Sequence, residues 1–465
     1  MRIFIGALLL ASIFLSCVTK QTPYATITGR FTGDKIEKEI ELSKVENGRK
    51  YKVATTTIGS NGYFGFVHEI DTPAVYVLNV VWNKSHRAVK RDHDLKRFYL
   101  EPGTEIDIEV NDGKYRLLKT NSKKNELLSA WNEQIDTVFS YSHGFSYCIA
   151  DYETFFPVLP EFVKKTEEFK QKINTGNKDF DDLMKLLVET DMNQAALNFI
   201  YTPRIKHPTK DMYPGYYDYI LKERAPESPG LLKLPNGMTY IRQYAMFSVM
   251  LSQQKPADGE WQKAAISKIP NNLLKGYYAL NSIKSYRTYD ERYVKFKKMI
   301  EPYLLNDYLK KQVNEYEMSI RKVEPGAFAI DFGGTDINGK EHRLSDYKGK
   351  VVYVDVWATW CGPCKAQIPH LKKLEKKYRG KQVVFMSISV DKEKDRSKWE
   401  KYVKENQLQG VQIMDGKAFE ADVTKAYKVY SIPRFLLFDK EGRIVSTAAP
   451  RPSSKEIEEE LNKLL

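Results

Sequence analysis

Trp357-Ala358-Thr359-Trp360-Cys361-Gly362-Pro363-Cys364 is the stretch on which the reading of this chain turns. Before it, Val351-Val352-Tyr353-Val354 is an apolar run of buried-strand length, and after it Pro369 to Tyr378 has helical spacing. The cysteine pair therefore lies where a strand gives way to a helix. A helix N-terminus carries about half a positive charge on its unpaired N–H groups, and a thiol there ionises below its ordinary value of ~8.5. Cys361 gains most from those groups and is the expected nucleophile. Cys364, one turn in, is more shielded and close enough to resolve a mixed disulfide. A zinc site would need a second ligand pair, and the sequence holds none, so neither metal nor cofactor is expected.

Working outward, Val383 to Val390 reads as strand, Ser397 to Asn406 as helix, and Arg434 to Phe438 and Gly442 to Ser446 as strands. Ser453 or Ser454 caps a last helix whose first turns carry Glu456, Glu458 and Glu459. This alternation is α/β and begins at Glu324. Residues 119–323 have helical period instead. Phe180, Leu183, Met184 and Leu187 keep the spacing, with Asp191 as a polar exception, and the many prolines from Pro157 to Pro302 predict short helices. Residues 25–118 alternate with period two, as in Thr104 to Val110. Asn61-Gly62 reads as a hairpin turn, and Asn111-Asp112-Gly113 turns the chain again, predicting an antiparallel β sandwich or barrel-like domain. Lys84, Arg87, Lys90, Arg91, Lys96 and Arg97 read as a solvated basic loop.

The 465 residues are 42% hydrophobic and 29% charged, which excludes a disordered chain and a polytopic membrane protein. Four cysteines exclude a disulfide-stapled scaffold. The net charge of +13 is well mixed along the chain, so no nucleic-acid partner is expected. The apolar run from Ile3 to Leu15 is too short to span ~30 Å of hydrocarbon and fits a secretory signal, residues 1–16. It ends in Phe14-Leu15-Ser16-Cys17, which resembles the bacterial lipoprotein box. That resemblance implies cleavage before Cys17, acylation of its thiol, and a lipidated tether over residues 17–24. Cys148, among Phe145, Tyr147 and Ile149, is the cysteine left over and reads as a buried thiol.

The W-C-G-P-C motif resembles the active site of the thioredoxin superfamily. The longer stretches Val354 to Trp360, Cys364 to Pro369 and Leu344-Ser345-Asp346-Tyr347-Lys348-Gly349-Lys350 resemble its TlpA/ResA-like branch. The resemblance implies a thioredoxin fold over 324–465, in which the segment between Val390 and Val411, with Trp399 and Tyr402, is the branch's extra helical piece. It implies that Asp355, six residues before Cys361, is a buried acid that moves a proton for the resolving cysteine. It places a cis-proline at Pro433, leaving the backbone of Ile432 free to pair with an extended substrate. Trp360, Gly362 and Pro363 would shape the contact surface, and the Gly-Pro pair resembles that of the reducing members. The β-rich segment looks like the small module that often precedes such domains in bacterial lipoproteins.

Together these readings describe a multidomain lipoprotein facing the periplasm: a β-rich domain, an all-α region and a C-terminal α/β domain. Its expected activity is thiol–disulfide exchange that reduces disulfides of exported proteins, with electrons from a membrane-embedded donor. Two alternatives stay open. In one, residues 25–323 bind a partner and the redox domain is auxiliary; in the other, the dithiol serves as isomerase or oxidant.

Overall fold

The computed structural model describes residues 23–32, 39–81, 96–111, 114–142, 151–202, 206–252, 255–257 and 260–465. The expected signal peptide, Cys17, Cys148 and the basic stretch up to Arg91 lie outside the described residues. The chain divides into two compact units, Met1–Tyr278 and Ala279–Leu465. Among the described residues no helix is long and apolar enough to cross a membrane.

The first unit opens with eight strands: β1 (Tyr24–Phe31), β2 (Glu39–Glu46), β3 (Arg49–Thr57), β4 (Tyr63–Glu69), β5 (Ala74–Val81), β6 (Arg97–Leu100), β7 (Glu105–Asn111) and β8 (Lys114–Thr120). They form two four-stranded sheets, ordered β4-β1-β7-β8 and β3-β2-β5-β6. Alternate residues of both sheets, among them Ile27, Ile40, Leu42, Leu78, Phe98 and Ile108, meet in one apolar cluster. Pairing is mixed, not wholly antiparallel as the sequence suggests. β1 runs parallel to β7, a neighbour reached only by the long passage through the other sheet. Asn61-Gly62 does form a turn, with Gly62 at φ 83°, but it joins strands of different sheets and is not a hairpin. A hairpin turn is made instead by Asn47-Gly48, both at positive φ, between β2 and β3. β7 and β8 pair as expected, although Asp112-Gly113 fall outside the described residues.

The helices that follow are α1 (Lys123–Ser142), α2 (Tyr152–Gln171), α3 (Lys178–Tyr201), α4 (Gly215–Glu223), α5 (Gly237–Leu251), α6 (Trp261–Ser267) and α7 (Asn272–Ser282). Several are short, but α2 runs straight through Pro157 and Pro160. Both prolines are exposed while Phe155 and Leu159 are buried, so the prolines lie on the outward face of the helix. Asp191 and Arg97 also depart from expectation. Arg97 is not solvated; it is buried on β6 and forks onto Asp191, with Nη1 at 2.7 and 3.0 Å from the two carboxylate oxygens. Trp131 Nε1 donates to Asp191 at 2.8 Å and Asn236 Nδ2 donates to the same carboxylate at 3.3 Å, while Asn132 accepts from Arg97 Nε at 2.9 Å. One buried ion pair thus ties a strand to α1, α3 and the start of α5, with the carboxylate oxygens and guanidinium satisfied together.

The second unit begins within α7 and continues through α8 (Glu291–Ile300) and α9 (Asp307–Arg321). An α/β domain follows: β9 (Gly333–Thr335), β10 (Glu341–Arg343), β11 (Val351–Trp357), α10 (Gly362–Lys365), α11 (Ile368–Lys377), β12 (Val383–Ser389), α12 (Arg396–Glu405), β13 (Val411–Met414), α13 (Asp422–Ala426), β14 (Arg434–Phe438), β15 (Ile444–Ser446) and α14 (Glu456–Leu464). The sheet order is β10-β9-β13-β12-β11-β14-β15, parallel over β11-β12-β13 and antiparallel at β14. β11 is central and buried along its whole length, which is why its sequence reads as continuous apolar character. Val352, Val354 and Val356 face one apolar cluster. Val351 and Tyr353 face another, shared with Leu371 and Leu374 of α11.

Candidate active site

β11 ends at Trp357 and the chain turns at once into α10, with Cys361 as its N-cap residue. The turn is held by a residue the sequence reading passed over. Asp391, fully buried just beyond β12, accepts from the Thr359 backbone N–H at 2.8 Å and from the Thr359 hydroxyl at 2.9 Å. Ser389 Oγ donates to the same carboxylate at 2.7 Å. The only sequence signal for this role is an acid directly after a buried strand, and nothing there names Thr359 as its partner.

Cys361 and Cys364 are joined by a disulfide with Cα atoms 5.3 Å apart. The Cys364 N–H points at Cys361 Sγ, 3.2 Å away. The first sulfur thus occupies the place where a helix offers its free N–H groups, as the junction predicts. Both cysteines are buried, yet Gly362 and Pro363 between them are exposed, and Trp360 is 54% exposed with Phe419 6.3 Å away. Approach to the disulfide is therefore from the side of Trp360, Gly362 and Pro363.

Pro433 and Ile432 come to the same end of the sheet. Val356 near the end of β11 pairs with Arg434 at the start of β14, so the residues just before Arg434 stand beside the cysteine turn. The Ile432–Pro433 peptide is cis. Ile432 is partly buried and packs on the cluster that contains both cysteines.

Asp355 lies on the α11 side of β11, the side of Val351 and Tyr353. It is 4% exposed, and its Oδ1 has no hydrogen-bond partner. No lysine pairs with it among the described residues; its neighbours in register are Ser387 and Phe435. Burial pushes its pKa up to about 8, and the carboxylate of Glu375 on α11 adds to the rise. Burial also pushes Glu375 up to about 7, against the opposing charge of Lys372, and Glu375 Oε2 is likewise without a partner. Beside buried Asp355 the structure thus places a second, partly buried acid that the sequence did not suggest. Glu375 was missed because it stands in the charged run Lys372 to Lys377, which reads as a solvated helix face.

A disulfide at the start of a helix, on the central strand of a mixed sheet and beside a cis-proline loop, defines a thioredoxin-like redox protein. The Redoxin family matches residues 325–465. Thiol-disulfide oxidoreductase ResA from Bacillus thuringiensis is 32% identical over 143 residues, covering 31% of this chain and 80% of that protein. ResA from Geobacillus kaustophilus is 32% identical over 142 residues, covering 30% and 79%. Among solved structures, the thioredoxin domain of a thiol-disulfide oxidoreductase from Bacteroides vulgatus is 27% identical, covering 30% of this chain and 96% of that one, with a TM-score of 0.27. Through its C-terminal domain the chain belongs to the TlpA/ResA-like thiol-disulfide oxidoreductases.

Proposed function

We propose that the protein reduces disulfides of exported proteins by dithiol exchange, from a lipid-tethered position facing the periplasm. The observation that carries this reading is the Cys361–Cys364 disulfide at the helix start, with exposed residues between its halves. In the reduced protein the Cys361 thiolate attacks a substrate disulfide. A sulfur–sulfur bond forms to Cys361 and one substrate thiolate leaves. Cys364, losing its proton, then attacks Cys361 sulfur and expels the second substrate thiolate. The protein is left as the disulfide and the substrate as a dithiol, two electrons having passed to the substrate. A membrane-embedded donor would return the pair of electrons.

Asp355 is the proton acceptor for Cys364 in this scheme. A carboxyl whose pKa is pushed up to about 8 changes protonation state just above neutral pH, which suits it to take up and give back a thiol proton. In the wild type, release of substrate from the mixed disulfide should quicken as pH rises through about 8. In Asp355→Asn that step should slow by roughly 10²-fold and lose the inflection. Stopped-flow release measured from pH 6 to 10 checks it, and an unchanged profile would remove Asp355 from the mechanism. The same shift sets stability. Below about pH 4 Asp355 is protonated both folded and unfolded, and its contribution is intact. Between about 4 and 8 the unfolded chain gives up this proton while the fold keeps it, so stability falls as pH rises. Asp355→Asn should therefore be more stable than wild type at pH 8 and little different at pH 4.

The tether rests on the Leu15-Ser16-Cys17 signature. Cys17→Ser should move the protein from the membrane to the soluble fraction and abolish incorporation of labelled fatty acid. Retention in the membrane with unchanged mobility would end the lipoprotein reading. Insulin reduction by the full chain tests the activity itself; no turnover would favour the reading in which the first unit binds a partner and the redox domain is auxiliary.

A further inference from the structure

The second unit contains more than the α/β domain, and its added part reaches the loop that leads to Pro433. The turn from Ile283 to Thr288, between α7 and α8, is pinned from two sides. Tyr316 of α9 donates its hydroxyl proton to the Tyr286 carbonyl at 2.7 Å, and the Tyr286 ring stacks on Phe296 of α8 at 4.7 Å. The next residue, Arg287, is thereby held over the loop before β14. Its guanidinium carbon is 5.7 Å from the centre of the Tyr430 ring and Nη2 is 3.5 Å from Ser431 Oγ. Lys428, in the same loop, rests its ammonium 5.4 Å over the ring of Tyr316.

The loops themselves carry charged side chains of one sign. The stretches Ile283 to Thr288, Trp357 to His370 and Lys428 to Arg434 contain Lys284, Arg287, Lys365, Lys428 and Arg434 and not one Asp or Glu. Carboxylates of the neighbouring elements are engaged elsewhere: Asp290 by Arg292, Glu317 by Lys297 and Arg321, and Asp391 by Thr359 and Ser389. Among the described residues no carboxylate pairs with Arg287. A half-exposed guanidinium without a carboxylate, fixed by its backbone one residue short of Ile432, is a preformed receptor for an acidic side chain.

We propose that Arg287 is a specificity-determining residue, which favours polypeptide disulfides flanked by Asp or Glu over those flanked by Lys or Arg. The inference rests on the dithiol-exchange reading above, with the substrate backbone lying along Ile432. A carboxylate beside the substrate cysteine then meets Arg287 as the chain pairs, and a lysine there meets a like charge. The choice is made by Arg287, in a segment that precedes the thioredoxin-like domain in the sequence, acting on a substrate that the domain itself holds along Ile432.

The test uses the full chain, reduced and freed of reductant, and two synthetic peptides with the same internal disulfide, one flanked by Asp and one by Lys. Oxidation of the protein in a single turnover gives a second-order rate constant for each peptide. The readout is their ratio, which does not depend on how much of a variant is folded. Wild type should favour the Asp peptide by about tenfold at low salt. Arg287→Glu should move the ratio toward the Lys peptide by about tenfold or more, and Arg287→Lys should keep the wild-type direction. Lys398→Glu on the exposed face of α12 makes the same change of net charge away from the loop and should leave the ratio where it was. A wild-type ratio near one, a ratio unmoved by Arg287→Glu, or an equal shift from Lys398→Glu would each overturn the proposal. A wild-type protein inert toward both peptides would overturn the dithiol reading, and the inference with it.

Discussion

Cys364→Ser should turn the protein into a trap: substrates accumulate as mixed disulfides on Cys361, while Cys361→Ser accumulates none. The expectation follows from the unequal placement of the two sulfurs. Cys361 is the N-cap of α10, its sulfur receives the Cys364 N–H at 3.2 Å, and it stands next to the exposed Trp360 and Gly362. A thiolate there is stabilised by the helix end, each pKa unit corresponding to ~1.4 kcal/mol. Cys364 lies inside the first turn at 1% exposure, where ionisation needs a proton acceptor. Without Cys364 the attack proceeds and resolution does not. Turnover of insulin should fall by roughly three orders of magnitude in either variant, because the two sulfurs act as one unit. The measurement is made in a Cys148→Ser background, with non-reducing electrophoresis before and after dithiothreitol. Trapping by the Cys361→Ser protein in place of the other would reverse the two roles.

Asp191→Ala should lower the stability of the first unit by about 3–5 kcal/mol. The carboxylate is 1% exposed and answers Arg97, Trp131 and Asn236 at once. Its removal leaves a guanidinium buried without a counter-charge, which is far costlier than the pair is favourable. Replacing both partners together, as Arg97→Met with Asp191→Leu, should recover much of the loss, since no charge is then left unpaired. Urea unfolding followed by circular dichroism of wild type, Arg97→Met, Asp191→Leu and the double variant gives the four values of the cycle. A single-variant loss below about 1 kcal/mol would mean that water reaches Arg97 after all.

The sequence was most legible where the determinants are contiguous. Strand, turn, cysteine pair and helix lie within Val351 to Tyr378, and α11, α12 and β14 fall within a residue of their expected limits. Legibility failed where a residue's environment depends on a distant part of the chain. Arg97 read as solvated because its neighbours in sequence are basic, yet its partner lies 94 residues away. Glu375 drew no notice because its neighbours in sequence are lysines. Pro157 and Pro160 read as helix ends because the sequence does not say which face of α2 meets water. Asn61-Gly62 has turn chemistry that is satisfied either within a hairpin or between two sheets, and only the packing of the sheets chooses.

What the sequence by itself determined is the chemistry: two cysteines spaced for one helical turn after a buried strand, with an acid six residues earlier. Local backbone geometry alone puts the first sulfur at the helix end and the second within reach of it. The surroundings that tune this chemistry were decided by the tertiary structure. Folding places Glu375 near Asp355, sets Asp391 under Thr359, and brings Arg287 to Ser431 across 144 residues of chain. The physical reason is that dielectric, charge pairing and access are properties of a three-dimensional neighbourhood. A sequence window records only what each residue contributes to a neighbourhood, not which neighbourhood it enters.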